Sequence, residues 1–246
     1  MVFASSTVFG MSLNSPPWEP ARARKPARTP LTQERIVDAA LELLVAEGYD
    51  ALSMRRIAQA LGTGAASLYA HVANKQELDQ LMINRVAQGL EIPDPDPERW
   101  KEQLAQVMRD LLRVLRSYPG VARAAIGQIP LGEESLVSTE RMLAILRAGG
   151  LPDDVAAYAV DLIPLYVCSV AFEESVQGSS SWTQADIEEF TTNLGKWFAG
   201  LPNDRFPHIV ALAGALTAGG PDERFDFGVQ VIVAGLASFA KRDQEA

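Results

Sequence analysis

The sequence predicts an all-α fold: an N-terminal three-helix helix-turn-helix head followed by a larger helical body. Three observations carry the prediction. Apolar residues recur at helical spacing from Thr32 almost to the end of the chain, and no segment alternates as a strand would. Capping residues and glycines punctuate the periodic segments at helix-length intervals. Three short helices fall within residues 32–71, joined by turns of a few residues, which is the layout of a helix-turn-helix.

The elements follow in order. Residues 1–30 are rich in Pro, Ser and Ala and end in the basic cluster Arg22, Arg24, Lys25 and Arg28. A disordered tail is expected there, either solvated or touching DNA phosphates. Thr32 caps the first helix, Ile36, Ala39, Ala40, Leu43 and Leu44 form its apolar face, and Gly48 ends it. Ser53 caps a second helix that buries Ile57, Ala58 and Leu61. Gly62 and Gly64 break the chain before a third helix from about Ala65 to His71, with Leu68 and Val72 inward. Asn74 caps a fourth, with Glu77 placed three residues on as in a capping box. Three alternating prolines make 92–97 a connector. Helices are then expected over about 98–117, a short stretch to 128, 133–148, 153–176, 183–199, 204–217 and 222–241, with a loop at 177–182. The domain division is 1–30 tail, 31–78 head and 79–246 body.

Composition limits the function. With 246 residues, 48% hydrophobic and 22% charged, the chain can bury a sizeable core. The single cysteine, Cys168, excludes an internal disulfide and suits a cytoplasmic protein. One cysteine and two histidines cannot build a closed zinc site, and no metal or other cofactor is expected. The net charge is −9, but residues 1–90 carry nine basic against eight acidic side chains while 91–246 carry thirteen against twenty-three. Only the N-terminal part tolerates a polyanion. The N-terminal residues lack the basic start of a signal peptide, and the apolar run 156–172 is short and interrupted by Asp161 and Pro164, so no membrane association is expected. Paired carboxylates, a phosphate loop and a nucleophile–base signature are all missing, so no enzyme and no catalytic residue are expected. Cys168 lies in an apolar run and is expected to be buried and inert.

The segment 53–75, SMRRIAQALGTGAASLYAHVANK, together with 31–53, LTQERIVDAALELLVAEGYDALS, strongly resembles the DNA-binding region of the tetracycline-repressor (TetR) family. The resemblance implies a double-stranded DNA operator as partner. The candidate DNA-contacting residues are Ser53, Met54, Arg55, Ala65, Ala66, Ser67, Tyr69, His71 and Lys75. Ser53 and Arg55 open the second helix, where hydroxyl, guanidinium and helix N-terminus favour a phosphate or base edge. Ser67 sits on the exposed side of the third helix. In the family Tyr69 and His71 contact backbone phosphate, and Lys75 clamps another at the next helix start. For each, a surface or core role is the competing reading. Gly64, Ala65, Ala66 and Ala70 occupy the base-reading positions, at several of which the tetracycline repressor has larger groups; alanine offers only apolar contact, for example to a thymine methyl. Specificity is then expected to rest on Arg55, Met54, Ser67, DNA shape and half-site spacing.

From Trp100 onward the chain resembles the C-terminal domain of the tetracycline-repressor subgroup, through ERW at 98–100, RSYPG at 116–120, LRAGGLP at 146–152 and FEES at 172–175. That domain holds a tetracycline–magnesium complex. Here Ala125 falls on the metal-contacting histidine's place and Glu173 on the nearby glutamate's. Alanine cannot ligate a metal, so magnesium-dependent tetracycline binding is not expected. Val107, Leu111 and Ile129 replace polar drug contacts, which implies an apolar or amphipathic effector. With Pro164, which lacks a backbone donor and so frees the carbonyl around Val160, the residues Trp100, Met142, Leu143, Tyr158, Leu165, Tyr166 and Phe172 complete the candidate pocket. Plain core packing competes for each of them.

The resemblance implies a homodimer, with helices 153–176 and 222–241 paired to their copies, and Val229, Val233, Leu236 and Ala240 as one apolar stripe. Two reading heads must sit about 34–36 Å apart to meet successive major grooves. The expected function is a ligand-responsive, sequence-specific regulator, a repressor released by its effector. The alternative is a small-molecule sensor or interaction protein that has lost specific DNA binding.

Overall fold

A computed structural model describes residues 30–178 and 182–240. The expected basic tail, apart from Pro30, and the middle of the 177–182 loop lie outside the described residues. Those residues form twelve α-helices and one 3-10 turn, with no strand among them. By contacts the chain divides between Leu31 and Thr32, and α1 to α12 belong to a single unit.

Thr32 caps α1 (Gln33–Glu47), its hydroxyl accepting from the Arg35 amide at 3.3 Å. Ile36, Ala40 and Leu44 are fully buried. Gly48, at φ 81°, ends the helix and leads into a 3-10 turn, Tyr49–Ala51, that the sequence reading missed. Ser53 caps α2 (Met54–Ala60), accepting from Arg56 N at 3.2 Å. Gly62 makes the next turn at φ 63°, a conformation that strains any residue with a Cβ. Helix α3 spans only Ala65–Leu68, against seven residues expected; Gly64 gives it no side-chain cap and its end relaxes into turns. Leu68 and Val72, both fully buried, hold it in place. Asn74 caps α4 (Lys75–Ala87) through Glu77 N at 2.9 Å, but Glu77 reaches back to Ala73 N, one residue before the cap.

After α4 comes the expected connector, without regular secondary structure through 91–96. Then come α5 (Trp100–Arg116), α6 (Val121–Ala125), α7 (Glu133–Ala148) and α8 (Asp153–Gly178), followed by α9 (Gln184–Ala199), α10 (Pro207–Ala211), α11 (Ala213–Thr217) and α12 (Pro221–Ala240). The expected helix over 204–217 breaks at Leu212, whose φ of −104° and ψ of 9° divide α10 from α11. Helix α5 packs on α8, α7 and α12, and α7 packs on α4 and α8. Leu104, Met108, Ile145, Leu146 and Ile163 are the fully buried centre. Helices α9 to α11 pack chiefly on one another, and α9 buries no residue within the chain.

Helix α12 corrects one expectation. Val229 and Leu236, assigned to a partner helix, are buried within this chain, and it is Phe227 and Val231 that face outward. On the same helix, Gly228 admits the Tyr166 ring of this chain. That ring stacks on Phe225 at 5.6 Å and its hydroxyl donates to Phe225 O at 3.1 Å. A Cβ at Gly228 would lie 1.9 Å from the Tyr166 hydroxyl oxygen. Gly228→Ala is therefore expected to cost about 1–3 kcal/mol by overpacking, read as a lowered midpoint in urea denaturation. Two ion pairs also tie α5 to α12, Arg109 to Asp226 at 2.8 Å and Arg116 to Asp222 at 2.6 Å, and Arg116 forks onto Glu174 of α8 at 2.8 and 2.7 Å.

Candidate DNA-reading head and effector-binding body

Most of the expected DNA-contacting side chains are exposed on the head. Ala66, Ser67, Tyr69, Ala70 and His71 are exposed around α3, and Ala65 is half-buried. Arg55 is exposed at the start of α2 and engages no ion pair among the described residues. Its neighbour Arg56 is spent on Glu47, with Nε donating to the carboxylate at 2.9 Å; this pins α2 to α1 and lowers the Glu47 pKa below its ordinary value. From α1, Gln33 Nε2 donates to His71 O at 3.1 Å and steadies the end of the reading segment. The geometry thus gathers Ser53, Arg55, Ala65, Ala66, Ser67, Tyr69 and His71 on the head.

Two of the expected contacts stand differently. Met54 is 7% exposed and shares the inward face with Ile57 and Ala58, so its side chain is core and cannot reach a base. Lys75 pairs with Asp79, one turn on in α4, and its ammonium also lies 4.2 Å from the centre of the Tyr49 ring. Asp79 is 4% exposed and accepts the Tyr49 hydroxyl at 2.8 Å. Burial, then the hydrogen bond to Asp79, pushes the Tyr49 pKa up to about 12. Arg123 of α6 stacks 5.3 Å from the same ring and pairs with Asp50 at 2.8 Å. Tyr49 therefore joins the head, α4 and α6. The sequence reading missed this cluster, although an acidic residue in the apolar phase of α4 was a signal for it.

In the body, Trp100, Val107 and Met142 are buried, and Leu111, Leu143, Pro164, Tyr166 and Phe172 are half-buried. Trp100 packs over Gly149, where a Cβ would lie 2.5 Å from the indole. Three expected pocket residues point away from this interior: Ile129, Tyr158 and Leu165 are 77%, 73% and 52% exposed. The physical reason is phase. Tyr158 and Leu165 lie on the face of α8 opposite Ala156, Ala159, Ile163 and Val167, and Ile129 sits on the open α6–α7 connection. A groove of about 590 Å³ runs between α5 and α12, lined by Lys101, Ala105, Arg109, Val229 and Val233 among others, none of them an expected pocket residue. Ser135 Oγ is buried without a hydrogen-bond partner among the described residues. Cys168 is buried, and burial pushes its thiol up to about 11, so the nucleophilic thiolate is suppressed.

A three-helix head with Ser53, Arg55, Ser67, Tyr69 and His71 exposed, followed by an all-helical body with an apolar interior, has the layout of a helix-turn-helix DNA-binding regulator. Residues 36–80 match the family model for bacterial regulatory proteins of the tetR family, and 92–239 match that for the tetracyclin repressor-like C-terminal domain. The chain belongs to the TetR family and is a ligand-responsive transcriptional repressor, not an enzyme. It is 33% identical over 225 residues to the HTH-type transcriptional repressor DrrR1 of Streptomyces coeruleorubidus, covering 87% of this chain and 81% of that one. The class A tetracycline repressor of Escherichia coli is 28% identical, covering 85% and 92%. The structure of ActR from Streptomyces coelicolor in complex with actinorhodin is 43% identical with a TM-score of 0.79, covering 87% of this chain and all of that one. ActR in complex with (S)-DNPA is 44% identical with a TM-score of 0.77, covering 86% of this chain and all of that one.

Proposed function

We propose that the protein acts in the cytoplasm as a homodimer on a two-half-site DNA operator and is released by a small apolar or amphipathic effector. The observation that carries DNA reading is the exposed face of Ser53, Arg55, Ser67, Tyr69 and His71, with Arg55 held by no carboxylate among the described residues. Selection of bound fragments from a random DNA pool tests it. Arg55→Ala is expected to weaken binding to the selected operator about tenfold and to reduce its salt slope by about one. Met54→Leu, at a buried site, is expected to change affinity less than about twofold. Equal losses from the two substitutions would refute this division of the head.

Exposed apolar faces support the dimer. Helix α8 is apolar and long enough to cross a membrane by composition alone, but it buries one face in the core and presents Tyr158, Leu162 and Leu165 on the other. Helix α12 adds Phe227 and Val231. We assign these faces to a four-helix bundle between two copies. For the effector, actinorhodin is the probe to use, given the likeness to ActR. Ala125 on α6 offers no metal ligand, which favours recognition without magnesium. Ser135 Oγ is the polar handle we assign to the effector. Ser135→Ala removes a buried, unpaired hydroxyl, so the thermal midpoint is expected to stay or rise by about 2 °C while actinorhodin affinity falls about tenfold. A lowered midpoint with unchanged affinity would remove Ser135 from the site.

A further inference from the structure

We infer that Glu47 restrains the protein's hold on DNA: it grips Arg56 and so withholds one guanidinium at the start of α2 from the phosphate backbone. The inference rests on the DNA-contacting role proposed above for the head. Arg55 and Arg56 are consecutive in the first turn of α2, and that turn holds no acidic residue. Of the two, Arg55 has no ion pair among the described residues. Arg56 is engaged through both arms of its fork. Its Nε donates to one oxygen of the Glu47 carboxylate at 2.9 Å, and its Nη2 pairs with the other oxygen. Charge-assisted forks of this kind are the strong form of an arginine–carboxylate contact. The fork draws the side chain back to the end of α1 and cancels its charge.

Helix α1 itself gains nothing from Glu47. It is the last residue of that helix, and no basic residue shares its turn. A carboxylate there meets the negative end of the helix dipole, which disfavours it. As a brace between α1 and α2 the pair is weak, because the two side chains are 36% and 34% exposed and water competes for both. What the carboxylate does change is the charge that the head presents to a polyanion. Each arginine that meets a phosphate releases counterions and adds affinity at every sequence, since phosphates carry no sequence information. Arg56 set free adds one such contact for each head. Glu47 therefore keeps the sequence-independent hold low and leaves Arg55 as the cation available at this end of α2.

The test titrates the full-length protein with a random-sequence duplex at about 50 and 200 mM salt. Glu47→Gln is expected to raise affinity about fivefold or more at the lower salt and to steepen the salt slope by about one for each head bound. Glu42→Gln is the control: Glu42 is exposed on the same helix, has no ion pair among the described residues, and loses the same charge without freeing an arginine. It is expected to change affinity less than about twofold. Adding Arg56→Gln to Glu47→Gln is expected to return affinity and slope to the wild-type values. Should Glu47→Gln fail to fold, Glu47→Asp, one methylene too short for the fork, is expected to steepen the slope in the same sense. A wild-type slope in Glu47→Gln, a gain matched by Glu42→Gln, or a gain that survives in the double variant would overturn the inference alone. A wild type without salt-sensitive DNA binding overturns the proposed function and this inference with it.

Discussion

Leu162→Glu is expected to turn the protein into a monomer and to lower operator affinity about a thousandfold. Leu162 is 47% exposed on the outer face of α8, between Tyr158 and Leu165, and Phe227 on α12 is 68% exposed. In a dimer these side chains leave water, and a carboxylate among them has no partner to offset its desolvation. A lone head keeps its own contacts but loses the second, tethered head. That tether is worth about 10²–10⁴ in effective affinity. Sedimentation with a parallel operator titration measures both effects. The fold within one chain should survive, because Leu162 does not belong to the buried centre. A variant that stays dimeric would move the interface elsewhere, with α9 to α11 and their exposed Phe190 and Trp197 as the next candidates.

Asp79→Ala is expected to destabilise the protein by about 2–3 kcal/mol, measured by urea denaturation. The carboxylate is 4% exposed and serves two partners, the Lys75 ammonium and the Tyr49 hydroxyl. Removing it leaves both without their acceptor. The lower part of the range for broken buried pairs applies, because the Lys75 side chain is 32% exposed and regains water. Lys75→Met added to Asp79→Ala should recover part of the loss, since the orphaned charge disappears with its partner. Strict additivity of the two substitutions would show that the pair carries no coupling. The same cluster bears on the expected DNA binding: the Lys75 charge is already paired with Asp79, so Arg55 is expected to carry more of the salt dependence than the family resemblance implies.

Much of the fold was legible because helix ends are local. Thr32, Ser53, Asn74 and Thr183 each accept an amide three residues on, as their residue types require. The prolines of 92–97 were equally plain. What the sequence could not carry was phase and distant pairing. Helix α8 is apolar around most of its circumference, so periodicity could not decide which face meets the chain's own core; Tyr158 and Leu165 fell on the wrong side for that reason. Met54 sits at the first turn of α2, where one position divides core from groove. Tyr166 with Gly228 and Asn84 with Gly132 are partners about 50–60 residues apart in sequence, and one chain offers no local sign of them. Ser53, Arg55, Ser67, Tyr69 and His71 were placed by motif and are exposed on the head.

The most direct test is an anisotropy titration of the selected operator with the full-length protein, at two salt concentrations, with competitor DNA, and with and without actinorhodin. Tight, salt-sensitive binding that survives competitor and weakens at least about fivefold when actinorhodin saturates the protein is the result predicted. Binding no tighter than to random DNA, or operator affinity unmoved by actinorhodin that a direct assay shows to be bound, would contradict a repressor released by such a ligand.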